Sequence, residues 1–270
     1  MAERNRAAWC GAVIITALAL YAIFVPIVFP VDEAITDFAA ADQGPGLAHW
    51  FGTDSSGRDL FTLVAKGMRV SLGISAVTAV VSAIAGLAVG IAAGAFGGWW
   101  DRIGMRVADA MTAIPSLLLS LLIVSMFRGS LVAIVVSLVL THWTSIARVV
   151  RAELLSVRHA EYVEVAKLRG VPSWKIARVH FLPVALGQAG VAVVLLVAHA
   201  VWHESTLSFL GVGLPPHQAS LGTLLADAGD ALLLGHWWRL AFPAGAIVAV
   251  TLALSLIGRS FSASRAAVTA

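Results

Sequence analysis

Long apolar runs broken by short charged segments set the pattern of this chain. Six stretches read as spans: 8–29, 70–96, 105–127, 131–147, 184–206 and 240–257. A helix crossing the hydrocarbon core of a bilayer, about 30 Å thick, needs about 20 mostly apolar residues, because every backbone N–H and C=O must be paired inside the segment. The pattern therefore predicts an all-α membrane protein with six transmembrane helices. The first run follows Arg4 and Arg6. It is longer than the core of a secretory signal, about 7–15 residues, and no small-residue cleavage site lies behind it, so it reads as a retained span.

Finer periodicities add packing and punctuation. Gly86, Gly90 and Gly94 recur every four residues in the second span, which stacks three positions without side chains on one helix face. Another helix backbone can approach closely there, and the face reads as a helix-packing seam. Pro115 in the third span predicts a kink, since proline removes a backbone donor and clashes with the preceding turn. The most charged stretch, 148–183, carries Glu161, Glu164, Lys167 and Leu168 at helical spacing ahead of Gly170 and Pro172. That order predicts a short charged helix stopped by glycine and proline. The chain divides into residues 1–69, the first span with an outer loop, and 70–270, a five-helix core containing the 148–183 loop.

Composition narrows the class. Hydrophobic residues make up 59% of the chain and charged ones 12%, against roughly 25% charged in soluble domains. The basic balance, 18 Lys and Arg against 15 Asp and Glu, forms no cluster apart from the apolar segments, so nucleic acid is excluded as a partner. Cys10 is the sole cysteine, which rules out an internal disulfide or a cysteine metal cluster. Six spans put both termini on one side. With the termini cytoplasmic, thirteen of the eighteen Lys and Arg fall in inner segments, while Asp32, Glu33, Asp37, Asp42, Asp54 and Asp59 fall in the first outer loop. The basic bias predicts both termini inside.

Candidate chemistry is sparse. No G-x-x-x-x-G-K-[ST] loop is present, so the chain is not an ATP-hydrolysing enzyme by itself. His203-Glu204 is followed by Ser205-Thr206-Leu207, which breaks the H-E-x-x-H pattern of a metalloprotease. A secondary transporter is the rival class; it calls for intramembrane ionisable residues and inverted repeats, and only Asp109, Glu204 and the histidines lie near spans, with no convincing repeat. His199 and His203 sit one turn apart on the fifth span, the spacing two imidazoles need to reach one metal ion. His142 lies in the fourth span. Depths counted from the span centres separate it from His199, so the three are not expected to share one ion. Two readings stand for these histidines: interhelical hydrogen bonds, or transient contact with Ni²⁺ on a translocation path.

The charged loop is where the chain becomes recognisable. Glu164-Val165-Ala166, then Gly170, then Leu182-Pro183 resemble the EAA loop of binding-protein-dependent ABC importers, with Val165 and His180 departing from the usual alanine and isoleucine. His49-Trp50-Phe51-Gly52-Thr53-Asp54 with Gly57-Arg58-Asp59, and Leu207-Ser208-Phe209-Leu210-Gly211 with Pro215-Pro216, resemble segments of the peptide/nickel branch. The likeness covers nearly the whole chain. It implies a type I (MetI-like) ABC importer permease whose loop is a cytoplasmic coupling helix, with Glu161, Glu164, Ala166, Arg169 and Gly170 contacting a separate ATP-binding subunit. It also implies a second permease subunit, two ATP-binding subunits that hold ATP and magnesium, and an extracytoplasmic binding protein, in a bacterial-type inner membrane. No cofactor is expected on this chain. Nickel members resemble this chain in a histidine pair ahead of Leu207 and a histidine-tryptophan pair, here His142-Trp143. The sequence thus places nickel or a nickel chelate ahead of dipeptide or oligopeptide as cargo.

Overall fold

In the computed structural model, residues 2–29 and 36–269 are described, with the side chains of 6–29 and 36–261. Asp32 and Glu33 of the acidic outer loop lie outside the described residues. Among the described residues ten α-helices follow one another: α1 (Ala2–Val28), α2 (Leu60–Ile91), α3 (Gly98–Ala113), α4 (Ser116–Met126), α5 (Leu131–Val157), α6 (Glu161–Leu168), α7 (Ser173–Ile176), α8 (Leu182–Phe209), α9 (Leu221–Leu233) and α10 (Trp238–Thr269). Two π-helical turns, Ala92–Phe96 and Ala177–Phe181, extend α2 and join α7 to α8. Five helices are long and apolar enough to cross a membrane, or six if α3 and α4 together form one span.

Several boundaries differ from the sequence expectation. The helix expected from residue 70 begins at Leu60, where Asp59 caps it by accepting the Thr62 amide at 3.0 Å. The division at 69/70 therefore falls inside α2 and marks no break. The span expected at 105–127 is two helices bent by 80°. Proline forces the residue before it out of the helical region. Ile114 is extended (φ −93°, ψ 130°), Pro115 follows at ψ 124°, and together they turn the chain where a simple kink was expected. The span expected to end at 147 continues to Val157, because a helix leaving hydrocarbon keeps its own hydrogen bonds. The region expected as a 148–183 loop is thus mostly helical. A further helix, α9, lies in the stretch left between the fifth and sixth spans; Ser220 opens it with a reciprocal capping box to Thr223.

Helix α2 is the central element, packed on α5 along one face and on α8 along another, while α1 lies against α10. The glycines face α5. A Cβ on Gly86 would stand 2.6 Å from Cβ of Ile146, one on Gly90 2.8 Å from the Ala147 carbonyl and from Cβ of Val150, and one on Gly94 2.7 Å from Cβ of Leu154. The contact continues into a buried cluster of Ile146, Val150, Leu154, Val163, Ile176 and Phe181, which seats α6 and α7 beneath α5 and α8. At the opposite end, residues 36–59 fold over α2 and α10. Trp238 donates its indole N–H to the Thr53 carbonyl at 3.2 Å, and Gly52 adopts φ +77° against that ring, where a side chain would be strained and would collide.

The seam gives a direct test. Gly90→Leu puts a side chain into the α5 backbone, and overpacking of this kind costs about 1–3 kcal/mol or more. Gly73→Ala on the same helix meets nothing within 4 Å. The first is expected to lower the thermal midpoint and yield of the purified complex by a clear margin, the second to leave both unchanged.

Candidate functional site

Two regions hold the residues singled out by sequence. The first is α6. Its register leaves Val163 fully buried against the bundle while Glu161, Tyr162, Glu164, Val165 and Leu168 are exposed, Leu168 at 87%. Ala166 is half-buried and Arg169 and Gly170 are exposed. The helix stops in a Schellman motif: the Gly170 amide donates to the Lys167 carbonyl at 2.9 Å and the Val171 amide to the Ala166 carbonyl at 3.1 Å, with Gly170 at φ +74°. Lys167 ties the helix back by donating to the Arg158 carbonyl at 3.2 Å. The segment is a short platform held from below, with carboxylates and apolar side chains mixed on its free face. Trp174, 62% exposed, extends that face onto α7.

Ion pairs fix the helices around the platform. Arg151 of α5 holds both carboxylate oxygens of Asp101 on α3, and Arg148 reaches Asp109 Oδ1 at 3.0 Å and Thr112 Oγ1 at 2.7 Å. Gln188 of α8 donates to Glu153 of α5 at 2.9 Å.

The second region is inside the bundle. A cavity of about 570 Å³ opens between the α3–α4 break and the faces of α5 and α8, with Pro115, Ser116, Thr141, His142, Arg148 and His199 among its lining. The depth count that separates His142 from His199 does not hold: ligand nitrogens of His142, His199 and His203 all lie within 4.8 Å of one another. The helix ends explain it. Leu131 and Phe209 lie at the same end of the bundle, where Gly129 meets Pro215, and His142 is eleven residues in from one while His199 is ten in from the other. Because α5 and α8 both extend beyond the predicted spans, centres taken from sequence misplace the depths.

Sequence reasoning passed over the role of Glu204, the most deeply buried charge-bearing side chain described. Its carboxylate accepts from Ser71 Oγ at 2.6 Å and from Ser208 Oγ at 2.9 Å. Those hydroxyls in turn accept the Leu221 amide, at the start of α9, and the Leu214 amide, each at 3.2 Å. One carboxylate therefore links α2, α8, the 210–216 loop and α9. The signal for it was a lone carboxylate in an apolar run, four residues before a serine. In the covering segment Arg58 pairs with Asp54 at 2.7 Å, Asp59 caps α2 and holds His49 at 2.8 Å, and Arg239 reaches Asp42 at 2.9 Å. Burial pushes the Asp227 carboxyl of α9 upward, against the pull of the Arg239 and Arg58 charges.

A bundle of apolar helices around a cavity, with a charged platform at one end and an ordered cover at the other, is the architecture of a polytopic membrane subunit. A family model for the binding-protein-dependent transport system inner membrane component matches residues 86–268, and one for the N-terminal TM domain of oligopeptide transport permease C matches residues 4–45. The chain is 36% identical over 254 residues to the oligopeptide transport system permease protein OppC of Bacillus subtilis, covering 94% of this chain and 83% of that protein. It is 35% identical to the dipeptide transport system permease protein DppC of the same organism, over 95% of this chain and 80% of that protein, and 38% identical to OppC of Escherichia coli K12, over 94% and 84%. The chain belongs to the family of binding-protein-dependent transport system inner membrane components. It is an ABC importer permease, and such a subunit is not catalytic alone.

The Glu204 network predicts a measurable asymmetry. Glu204→Ala strands two buried hydroxyls and loosens the two amides they accept, at about 1–3 kcal/mol for each buried group left unpaired. Glu204→Gln keeps an acceptor. Thermal unfolding of the purified complex is expected to fall markedly for the alanine variant and much less for the glutamine one; equal midpoints for all three would show that the network is idle.

Proposed function

We propose that this chain is one of two membrane subunits of an ATP-driven peptide importer. Similarity to the permeases named for oligopeptide and dipeptide transport, over more than nine-tenths of the chain, is the observation that carries the reading. Nickel or a nickel chelate, placed first by the sequence alone, moves behind peptide, because the relatives described above carry peptide names and none supports a metal cargo. The cavity is open on one side, and a second permease subunit facing it would complete a path. ATP and magnesium belong to two ATP-binding partners, and an extracytoplasmic binding protein delivers cargo to the end covered by residues 36–59.

Coupling is assigned to α6. Its free face offers Glu161, Glu164 and Arg169 beside Tyr162, Val165 and Leu168, the mixed polar and apolar surface of a protein interface. Gly170 sets where the helix ends and so how far that face projects. On the Lys and Arg asymmetry this end is cytoplasmic, with both termini on the same side.

Reconstitution tests both parts. Proteoliposomes holding the full importer and its loaded binding protein are expected to accumulate a labelled oligopeptide on ATP addition and to leave labelled Ni²⁺ outside; ATP-driven nickel uptake without peptide uptake would restore the metal cargo. Glu164→Lys and Gly170→Asp reverse or add charge at the docking face, where loss of a complementary charge costs about 2–5 kcal/mol when the pair is buried. Both variants are expected to insert normally and to lose ATP-driven uptake by more than tenfold. Wild-type uptake in both would remove the coupling role from α6.

A further inference from the structure

The three histidines need an account that peptide import does not supply. His142 and His203 are each only 6% exposed, His199 is exposed, and both His142 and His199 line the cavity. Ring centroids are 5.1 Å apart for His142 and His199, 5.0 Å for His142 and His203, and 4.6 Å for His199 and His203. A buried imidazole nitrogen left without a partner is costly. Yet Nδ1 of His203 is buried with no hydrogen-bond partner among the described residues. Three imidazoles meeting edge to face or tilted satisfy one another poorly, since a neutral ring has one donor and one acceptor and the pairs here meet as rings.

His142 is oriented as a ligand is. Its Nδ1 lies 2.6 Å from the Leu138 carbonyl, and Thr141 Oγ1 is 2.8 Å from the same nitrogen. A carbonyl can only accept, so Nδ1 carries the proton and Nε2 keeps its lone pair. That arrangement, a backbone carbonyl fixing tautomer and ring angle, is the usual outer support of a metal-bound histidine. His199 and His203 come from consecutive turns of α8, the i and i+4 pair that can reach one ion.

We infer that His142, His199 and His203 form a three-nitrogen site for one divalent transition-metal ion, joining α5 to α8, with a further coordination position facing the cavity that His142 and His199 line. Imidazole ligands suit zinc, nickel, cobalt and copper and disfavour magnesium and calcium. An ion bound about 2.0–2.1 Å from each nitrogen needs those atoms about 3.3 Å apart. The three nitrogens lie within 4.8 Å of one another, so the rings have to draw together around the ion. The site lies on the two helices that lead into and out of α6, so a bound ion would bridge them above the platform. It is independent of the cargo: a peptide importer can carry it, and loss of peptide transport would say nothing about it.

The experiment uses the assembled importer, purified through a tag without histidines and stripped with a chelator. Co²⁺ is added as the probe, and the visible absorption of protein-bound cobalt is followed with the bound metal counted by mass spectrometry. One ion per copy of this chain is expected, with intense bands of low-coordinate cobalt. His142→Gln, His199→Gln and His203→Gln should each weaken binding by on the order of 100-fold and shift the spectrum, while His217→Gln on the surface should change neither. Excess Zn²⁺ should displace cobalt, and excess Mg²⁺ should not. Failure of the unmodified complex to bind cobalt, or binding that survives all three replacements, would overturn the site, and neither result depends on the variants' effect on folding. Peptide uptake measured on the same preparations separates this outcome from failure of the transport reading.

Discussion

Inside hydrocarbon no backbone donor or acceptor has water to turn to, and this single constraint shapes most of what the chain does. It makes the long elements helices, drives irregular backbone to the two ends, and allows an exception only where protein or a cavity takes over. The exception is visible at Ile114 and Pro115, where the chain bends by 80° and lines the cavity. Helices cannot be drawn together in lipid by burying apolar surface, because the lipid is as apolar as they are. Close approach must do it instead. Gly86, Gly90 and Gly94 let α5 come into near-backbone contact with α2, and α8 fits beside them, so the seam sets where the rest of the bundle stands.

Polar side chains are then placed with purpose. Glu204 collects two serine hydroxyls that each accept a backbone amide, which locks the 210–216 loop and the start of α9 to α2. The covering segment is fastened the same way, through Asp54, Asp59 and Trp238. The opposite end is built differently. There α6 rests on Val163 and is stopped by Gly170, and its outer side chains are exposed. One end of the molecule is closed and cross-braced; the other presents a face.

Much of this is legible in the sequence, for physical reasons. Apolar length and four-residue glycine spacing are local properties, so the spans and the packing face can be read directly. The glycine stop of α6 is equally local, since positive φ at Gly170 follows from its place after a charged helix. What escapes is whatever depends on depth or on partners distant in the chain. Helix α9 carries a capping box at Ser220 and Thr223, but at thirteen residues it is too short to register as a span. Glu204 meets Ser71, 133 residues away, and no periodicity announces that. His142 and His199 converge because two helices overrun their apolar cores by different amounts. Charged residues such as Arg148 and Arg151 end a span without ending a helix, and centres drawn from hydropathy alone shift accordingly.

The role proposed for α6 is to be the surface through which an ATP-binding subunit acts on the membrane helices. The most direct measurement places a photo-activatable cross-linker on Leu168→Cys in a Cys10→Ser chain, in membranes containing the whole importer, with Trp50→Cys at the opposite end as the comparison. Leu168 is 87% exposed and Trp50 62%, so both positions accept the reagent. The account predicts that the probe at 168 captures the ATP-binding subunit and the probe at 50 does not. Capture of the extracytoplasmic binding protein from position 168, or of the ATP-binding subunit from position 50 alone, would contradict it.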